Sequence, residues 1–179
     1  MTADIIADVE RMDRHVRELL RYTRNESVAP QLFDPAEVAT TCLANAQPVL
    51  QRQRVEAAVN DRRAARAQIE ADPVLLGQAL TSVVTNAIEA MPDGGRLDID
   101  VEADPGRAIV RLAVRDTGRG MPPETLALVA RPFFTTKTRG LGLGLVLAKR
   151  IVERFAGRFA IDSEVGRGTR VVFEFAARG

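Results

Sequence analysis

Three glycine clusters punctuate the second half of the chain, at residues 118–120, 140–144 and 166–168. Each cluster lies between segments with a regular apolar pattern rather than inside one. Glycine permits left-handed backbone angles and close approach of another segment, and it weakens the interior of a helix or strand. The clusters therefore mark junctions between elements, at which another backbone can approach closely.

The apolar periodicity predicts helices over residues 35–51, 73–91 and 145–155. Asp34-Pro35 and Asp72-Pro73 begin the first two, since an N-cap aspartate followed by proline is typical of a helix start. Short β-type segments predict strands at 55–60, 67–70, 97–101, 108–115, 158–163 and 169–175. This order predicts an α+β fold, a two-layer sandwich of about three helices on one face of a mixed β-sheet.

Residues 4–24 carry a different pattern, that of a long N-terminal helix. Apolar residues recur along it at spacings of 4, 3, 4 and 3, at Ile5, Val9, Met12, Val16 and Leu19. Such a stripe is typical of a dimerisation seam, and we expect a homodimer through it. Docking on the chain's own domain is the alternative, because little more than two heptads form a marginal coiled coil.

Composition excludes several classes of partner. Twenty-five basic and twenty-four acidic residues leave a formal net charge of +1, so no general field attracts nucleic acid or an anionic membrane. The most apolar stretch, 72–91, is interrupted by Gln78, Ser82 and Asn86 and is too polar to span a membrane. No secretory leader is visible, and the single cysteine, Cys42, can form no internal disulfide. We expect a soluble cytoplasmic chain without nucleic-acid or membrane contact.

The cluster Gly140-Leu141-Gly142-Leu143-Gly144 directly precedes an apolar helix. Exposed amides and the helix dipole at such an entrance stabilise an anion such as a phosphate. A flexible hinge is the alternative for this segment taken alone. No P-loop lysine follows the cluster, which argues against a Walker-type site.

Two polar side chains are candidates for binding a nucleotide. Asp116 ends a predicted strand and precedes Gly118 and Gly120. A fixed carboxylate in an apolar slot accepts a hydrogen bond from the amino group of adenine, and an ordinary Asp-Gly turn is the alternative. Asn86 could ligate Mg²⁺ through its amide oxygen, because this ion prefers oxygen and keeps waters and nucleotide phosphates as further ligands. A simple side-chain hydrogen bond is the alternative for Asn86.

The order of these motifs resembles the ATP-binding domain shared by sensor histidine kinases, gyrase-type topoisomerases, the ninety-kilodalton heat-shock chaperone and mismatch-repair ATPases. Residues 85–91 (TNAIEAM) look like its asparagine box, 116–120 its first glycine box and 140–144 its second. Residues 132–137 (PFFTTK) look like the phenylalanine box of the histidine-kinase branch, and 166–169 like the last glycine motif. The similarity implies a Bergerat-type fold, and it is closest to the nitrogen-regulatory and oxygen-sensing kinases.

The resemblance implies ATP and Mg²⁺ as cofactors and gives roles to individual positions. Asn86 would ligate Mg²⁺ and act in catalysis with Lys137, which would lie near the phosphates; a plain solvated charge is the alternative for Lys137. Asp116 would contact adenine, and residues 121–143 would form a lid. Further contacts to the nucleotide would come from Gly118, Gly120, Phe133, Phe134, Gly140, Gly142, Leu143, Gly144 and Thr169.

This sequence departs from the family pattern at two positions. Ser82 lies four residues before Asn86, where many such kinases have a second asparagine and the hydrolysing relatives have a glutamate. A hydroxyl without a nearby base activates water poorly, so we expect slow ATP hydrolysis. Glu89, on the same helix face, is a minor candidate for polarising a nucleophile. Leu141 replaces a frequent threonine, with little expected effect.

The only histidine, His15, lacks the family's acceptor context, and residues 5–24 resemble the second helix of the dimerisation hairpin. We expect residues 1–30 to be that helix with a linker, and residues 31–179 to be the catalytic ATP-binding domain of a fragment. The implied activity is that of a protein-histidine kinase. It would transfer the γ-phosphoryl group of ATP to a histidine outside this chain, on the acceptor helix of the hairpin, and thence to a response-regulator receiver domain. A conformational ATPase, an anti-sigma-type serine kinase and a non-catalytic interaction module are the alternatives.

Overall fold

The computed structural model describes residues 29–64, 66–136 and 141–178. The predicted helix 4–24, with His15, lies outside these residues, as do Lys137 and Gly140. The helices of the described part are Pro35–Arg52 (α1), Pro73–Glu89 (α2), Pro123–Leu126 (α3) and Gly144–Arg154 (α4). Its strands are Gln31–Phe33 (β1), Val55–Asp61 (β2), Ile69–Ala71 (β3), Gly95–Asp104 (β4), Ile109–Asp116 (β5), Arg158–Glu164 (β6) and Gly168–Ala176 (β7).

Five of these strands form one mixed sheet in the order β2-β4-β5-β7-β6. β2 pairs with β4 in parallel, and the remaining pairs are antiparallel. β1 and β3 form a separate two-stranded antiparallel sheet. α2 packs against both α1 and α4 and, with them, covers one face of the large sheet. The predicted two-layer α+β fold is confirmed.

The core lies between this sheet and the helical layer. Alternate residues of the interior strand β4, Leu97, Ile99 and Val101, are fully buried, and so are Leu76 and Leu80 of α2. All five belong to one hydrophobic cluster. Burying a side chain of this kind contributes about 1.5–3 kcal/mol, so the cluster holds α2 firmly on the sheet. The polar residues of α2 therefore stand on a rigid base.

Both predicted helix starts are confirmed by their caps. Asp34 accepts a hydrogen bond from the amide of Ala36 (2.9 Å), and Asp72 accepts from the amides of Val74 (2.9 Å) and Leu75 (3.1 Å). Each bond satisfies an amide that has no partner within its own helix. Local sequence signals thus determine where α1 and α2 begin.

Other boundaries differ from the predictions. α2 ends at Glu89 rather than at Met91, because Met91 precedes Pro92 and a residue in that position avoids the helical region. β3 comprises Ile69–Ala71 rather than 67–70, because these are the three residues that pair with β1. The sequence pattern predicts neither β1 nor the single turn of α3.

Candidate functional site

The polar side of α2 carries the first candidate residues. Ser82 and Asn86 are one helical turn apart and half-buried. A β-carbon placed on Gly144 would lie 3.6 Å from Nδ2 of Asn86 and 3.8 Å from Cβ of Ser82. The start of α4 therefore faces the polar stripe of α2, and the predicted asparagine box and second glycine box meet in space.

The entrance of α4 has the features of an anion site. Its N-cap residue, Leu143, makes no side-chain hydrogen bond to the first-turn amides, and its own side chain is buried. Those amides and the positive end of the helix dipole can serve an anion instead. Gly144 is the first residue of the helix, so an anion bound there would lie close to Asn86.

The phenylalanine segment reaches the same entrance through Gly142. This glycine has φ of +68°, and a β-carbon on it would lie 2.6 Å from the carbonyl carbon of Phe134. Only glycine fits, because the backbone is left-handed and the main chain of Phe134 occupies the space. Phe134 is half-buried, whereas Phe133 is 62% exposed. The two phenylalanines of the predicted lid thus lie in different surroundings.

The second candidate wall is built around Asp116, the last residue of β5. Its side chain is almost fully buried. Oδ1 accepts hydrogen bonds from the amides of Gly118 (2.9 Å) and Thr169 (3.2 Å). Burial raises the pKa of the Asp116 carboxyl above its usual value, although both amides act in the opposite direction. Oδ2 has no hydrogen-bond partner within the described residues, which leaves it as an acceptor for a ligand.

Two glycine segments converge on Asp116. Gly168 has φ of +92°, and a β-carbon on it would lie 2.8 Å from the carbonyl carbon of Asp116. Gly120 lies against the carbonyl group of Glu164, which precedes the last glycine turn. The β6–β7 hairpin is therefore packed directly onto the loop that follows β5. Glycines of two motifs that are distant in the sequence leave the space for this contact.

α2 connects the two walls. The amide of Arg119 donates a hydrogen bond of 3.1 Å to the carbonyl of Ala90, the residue that caps α2. Asn86, near Gly144, is four residues before Ala90, and four residues rise about 6 Å along a helix. The carboxylate end and the anion end of the candidate site are thus set by adjacent turns of one helix.

Ser163 also belongs to this region, although no sequence pattern singled it out. Its Oγ accepts a hydrogen bond from the amide of Met121 (2.9 Å) and lies 2.9 Å from Oγ1 of Thr169. The signal that could have found it is a hydroxyl at the end of a strand, directly before a glycine-rich hairpin turn. Its importance depends on contacts across the sheet, which single-sequence patterns do not report.

Metal-ligand clusters and membrane-spanning helices are both absent from the described ranges. Within residues 29–64, 66–136 and 141–178, no three His, Cys, Asp or Glu side chains lie together as a metal site requires. No helix in that same part of the chain is long and apolar enough to cross a membrane.

Comparison with known proteins points to one family. Residues 71–179 match the family described as histidine kinase-, DNA gyrase B-, and HSP90-like ATPase. The chain is 30% identical over 167 residues to sporulation kinase C of Bacillus subtilis (strain 168), which covers 92% of this chain and 38% of that protein. It is 34% identical over 175 residues to the sensor histidine kinase ZraS of Klebsiella oxytoca, which covers 96% of this chain and 37% of that protein.

A solved structure agrees with these sequence matches. The mycobacterial sensor histidine kinase MprB superimposes with a TM-score of 0.70 and 28% sequence identity. The match covers 84% of this chain and 99% of that chain. By contrast, the chain spans less than two fifths of the length of the two curated relatives. The similarity is therefore to one part of those longer proteins.

Proposed function

Since this chain belongs to the histidine kinase-, DNA gyrase B-, and HSP90-like ATPase family, we propose that it binds ATP beside α2, with adenine at Asp116 and the phosphates at the start of α4. The observation that carries the proposal is the arrangement of two glycine segments along one helix. Arg119 is bonded to Ala90, and Gly144 lies next to Asn86. One nucleotide can therefore reach both walls.

At the adenine end, Oδ2 of Asp116 accepts a hydrogen bond from the purine amino group. Oδ1 is already held by the amides of Gly118 and Thr169, so the carboxylate cannot rotate away without losing those bonds. A hydrogen bond to a charged group contributes about 1.5–3 kcal/mol. Gly120 shapes the same turn, because it allows the turn to lie against Glu164.

At the phosphate end, the amides of Gly142, Leu143 and Gly144 contact the phosphate oxygens. The helix dipole of α4 adds to this attraction. The family resemblance adds Lys137 and Gly140 to these phosphate contacts, with Lys137 near the γ-phosphoryl group. Phe133 and Phe134 precede these residues and belong to the lid over the phosphates.

Asn86 is the residue that would hold Mg²⁺. Its amide oxygen suits this hard cation, and the remaining ligands would be waters and phosphate oxygens. The described residues fit that mode of binding, because Asn86 lies beside Gly144 at the start of α4, where the phosphates are proposed to bind. When bound, the ion would supply charge neutralisation at the transferred phosphoryl group. The chain's own part is to position the phosphates against Asn86.

The reaction that fits this site is phosphoryl transfer to a histidine outside the chain, followed by transfer to a response-regulator receiver domain. Support comes from ZraS, which is named a sensor histidine kinase, and from the absence of a base at Ser82. The Ser82 hydroxyl donates to the carbonyl of Gln78 in its own helix (3.1 Å), so it is a poor activator of water. We expect slow hydrolysis, which disfavours a conformational ATPase.

The assembly around this reaction follows the same resemblance. Residues 1–30 are proposed as the second helix of a dimerisation hairpin with its linker, and residues 31–179 as the catalytic domain. Homodimerisation through residues 4–24 brings the acceptor helix close to the ATP site. We assign the chain to the nitrogen-regulatory and oxygen-sensing kinases and place it in the cytoplasm.

The test is incubation of the chain with γ-labelled ATP, Mg²⁺ and an added hairpin that carries the acceptor histidine. We expect acid-labile, base-stable label on the hairpin, and much less of it at sub-saturating ATP when Asp116→Asn replaces the wild-type chain. Acid-stable label on a partner would indicate a serine kinase instead. Rapid release of labelled phosphate without transfer would indicate an ATPase and contradict the proposal.

A further inference from the structure

Ser163, the next-to-last residue of β6, uses the full hydrogen-bonding capacity of its hydroxyl. Its Oγ accepts from the amide of Met121 (2.9 Å) and donates to the carbonyl of Gly168 (2.9 Å). Oγ1 of Thr169 lies 2.9 Å away. A serine hydroxyl has one hydrogen and two acceptor lone pairs. Because a carbonyl can only accept, the Ser163 hydrogen goes to Gly168, and the Thr169 hydroxyl donates to Ser163.

This arrangement determines what Thr169 can offer to a ligand. Threonine has a single hydroxyl hydrogen, and Ser163 receives it. The Thr169 oxygen is left with acceptor capacity only. Its amide donates to Oδ1 of Asp116 (3.2 Å), so this hydroxyl belongs to a residue that touches the proposed adenine carboxylate. An ionised carboxylate also accepts only, and both side chains therefore present acceptors.

We propose that Ser163 is a specificity-determining residue for the purine base, because it keeps the Thr169 hydroxyl oriented as an acceptor. This inference rests on the proposed binding of ATP at Asp116. Adenine carries an amino group at C6 and supplies donors to the two acceptors. A 6-oxo purine carries a carbonyl there, and an acceptor that faces acceptors in a desolvated site loses its hydrogen bonds. Ser163 acts through Thr169 and is a positioning residue.

Removal of the Ser163 hydroxyl frees the hydrogen of Thr169. In Ser163→Ala the Thr169 hydroxyl can rotate and donate to a 6-oxo group. We expect the preference for ATP over inosine triphosphate, the ratio of their dissociation constants, to fall roughly three- to tenfold, the value of one hydrogen bond. If Ser163 had a merely structural role, Ser163→Ala would weaken the binding of both nucleotides alike and leave the ratio unchanged.

The experiment is calorimetric titration of the full chain with each nucleotide in the presence of Mg²⁺. Ser163→Thr keeps a hydroxyl and is expected to retain the wild-type preference for ATP over inosine triphosphate. Thr41→Ala is the matched control, since the Thr41 hydroxyl bonds only to the carbonyl of Glu37 in its own helix (2.9 Å). The free energy of unfolding is measured for every variant, so that loss of folded protein is not mistaken for loss of affinity.

Thr169→Val provides a second and independent readout. It removes the oriented acceptor, so it should lower the preference for ATP by a similar factor even if Ser163→Ala does not fold. In the Thr169→Val background, Ser163→Ala should change the ratio no further, because coupled residues are not additive. An unchanged ratio in folded Ser163→Ala, with normal ATP binding, would overturn the inference alone. A wild-type chain that binds neither nucleotide would overturn the proposed function itself.

Discussion

The amide of Thr169 donates a 3.2 Å hydrogen bond to Oδ1 of Asp116, where β7 and β5 lie side by side. The two residues are far apart in the sequence, and the pairing of Arg115 with Arg170 brings them together. One oxygen of the carboxylate is thereby fixed by the main chain and the other is left for a ligand. The sheet itself orients the proposed adenine acceptor.

The first prediction concerns Asp116→Asn. We expect ATP affinity to fall roughly tenfold or more, because a charged acceptor contributes about 1.5–3 kcal/mol. The free energy of unfolding should not decrease. The reason is that the pKa of Asp116 is raised in the folded chain, chiefly by burial, so ionisation of this group opposes folding at neutral pH.

Calorimetry with ATP and chemical denaturation check this prediction. Asp162→Asn is the matched control, because Asp162 is exposed on β6 and its change should leave ATP affinity unaltered. Normal ATP binding by Asp116→Asn would remove the adenine assignment.

The second prediction is a pH dependence with a defined sign. Protonation converts the acceptor oxygen of Asp116 to a donor, so ATP affinity should fall as the pH drops through its pKa. That fall should begin at a higher pH than for an ordinary aspartate, whose pKa is 3.8, because burial raises the value. The same shift makes Asp116 a source of instability that grows as the pH rises from 3.8 through the folded-state pKa.

The phosphates of ATP titrate too, so the profile is measured against Asp116→Asn. The difference in ATP affinity between the wild-type chain and Asp116→Asn should vary with pH as the titration of a single proton. If both proteins lose affinity in parallel, Asp116 is not the titrating acceptor.

The third prediction compares two glycines. Gly142→Ala should weaken ATP binding and destabilise the chain by about 1–2 kcal/mol, the cost of a left-handed backbone at a residue with a side chain, with a further cost from contact with Phe134. Gly77→Ala is the control within α2, where a β-carbon would lie 3.8 Å from Val38 Cγ1, an ordinary contact. It should stabilise the chain by about 0.5–1 kcal/mol. Thermal unfolding and ATP titration measure both effects, and equal behaviour of the two variants would contradict the role of Gly142.

The fourth prediction separates the two ends of the site. Asn86→Ala should lower the affinity for ATP in the presence of Mg²⁺, because the phosphate end loses its oxygen ligand. The affinity for adenosine, which has no phosphates, should be unchanged. Titration with both molecules checks this, and parallel loss of adenosine binding would show that Asn86 supports the fold rather than the ion.

Much of the fold follows from local signals, while the site depends on distant contacts. The aspartate caps at Asp34 and Asp72 act within their own helices, so the sequence reveals them. β1 has only three residues and exists because β3 pairs with it, which no local pattern shows. Likewise, Ser163 matters through Met121 and Thr169, and the sequence gives no sign of these partners.

The central claim is that one nucleotide occupies both walls of this site, and nuclear magnetic resonance tests it directly. Titration of the ¹⁵N-labelled chain with ATP and Mg²⁺ should shift the amide signals of Gly118, Thr169, Gly142 and Gly144 together, at one dissociation constant. The amides of Arg158 and Glu174, whose side chains lie on the face of the sheet away from the helices, should not move. Shifts confined to that opposite face, or none at Gly118 and Gly144, would contradict ATP binding beside α2.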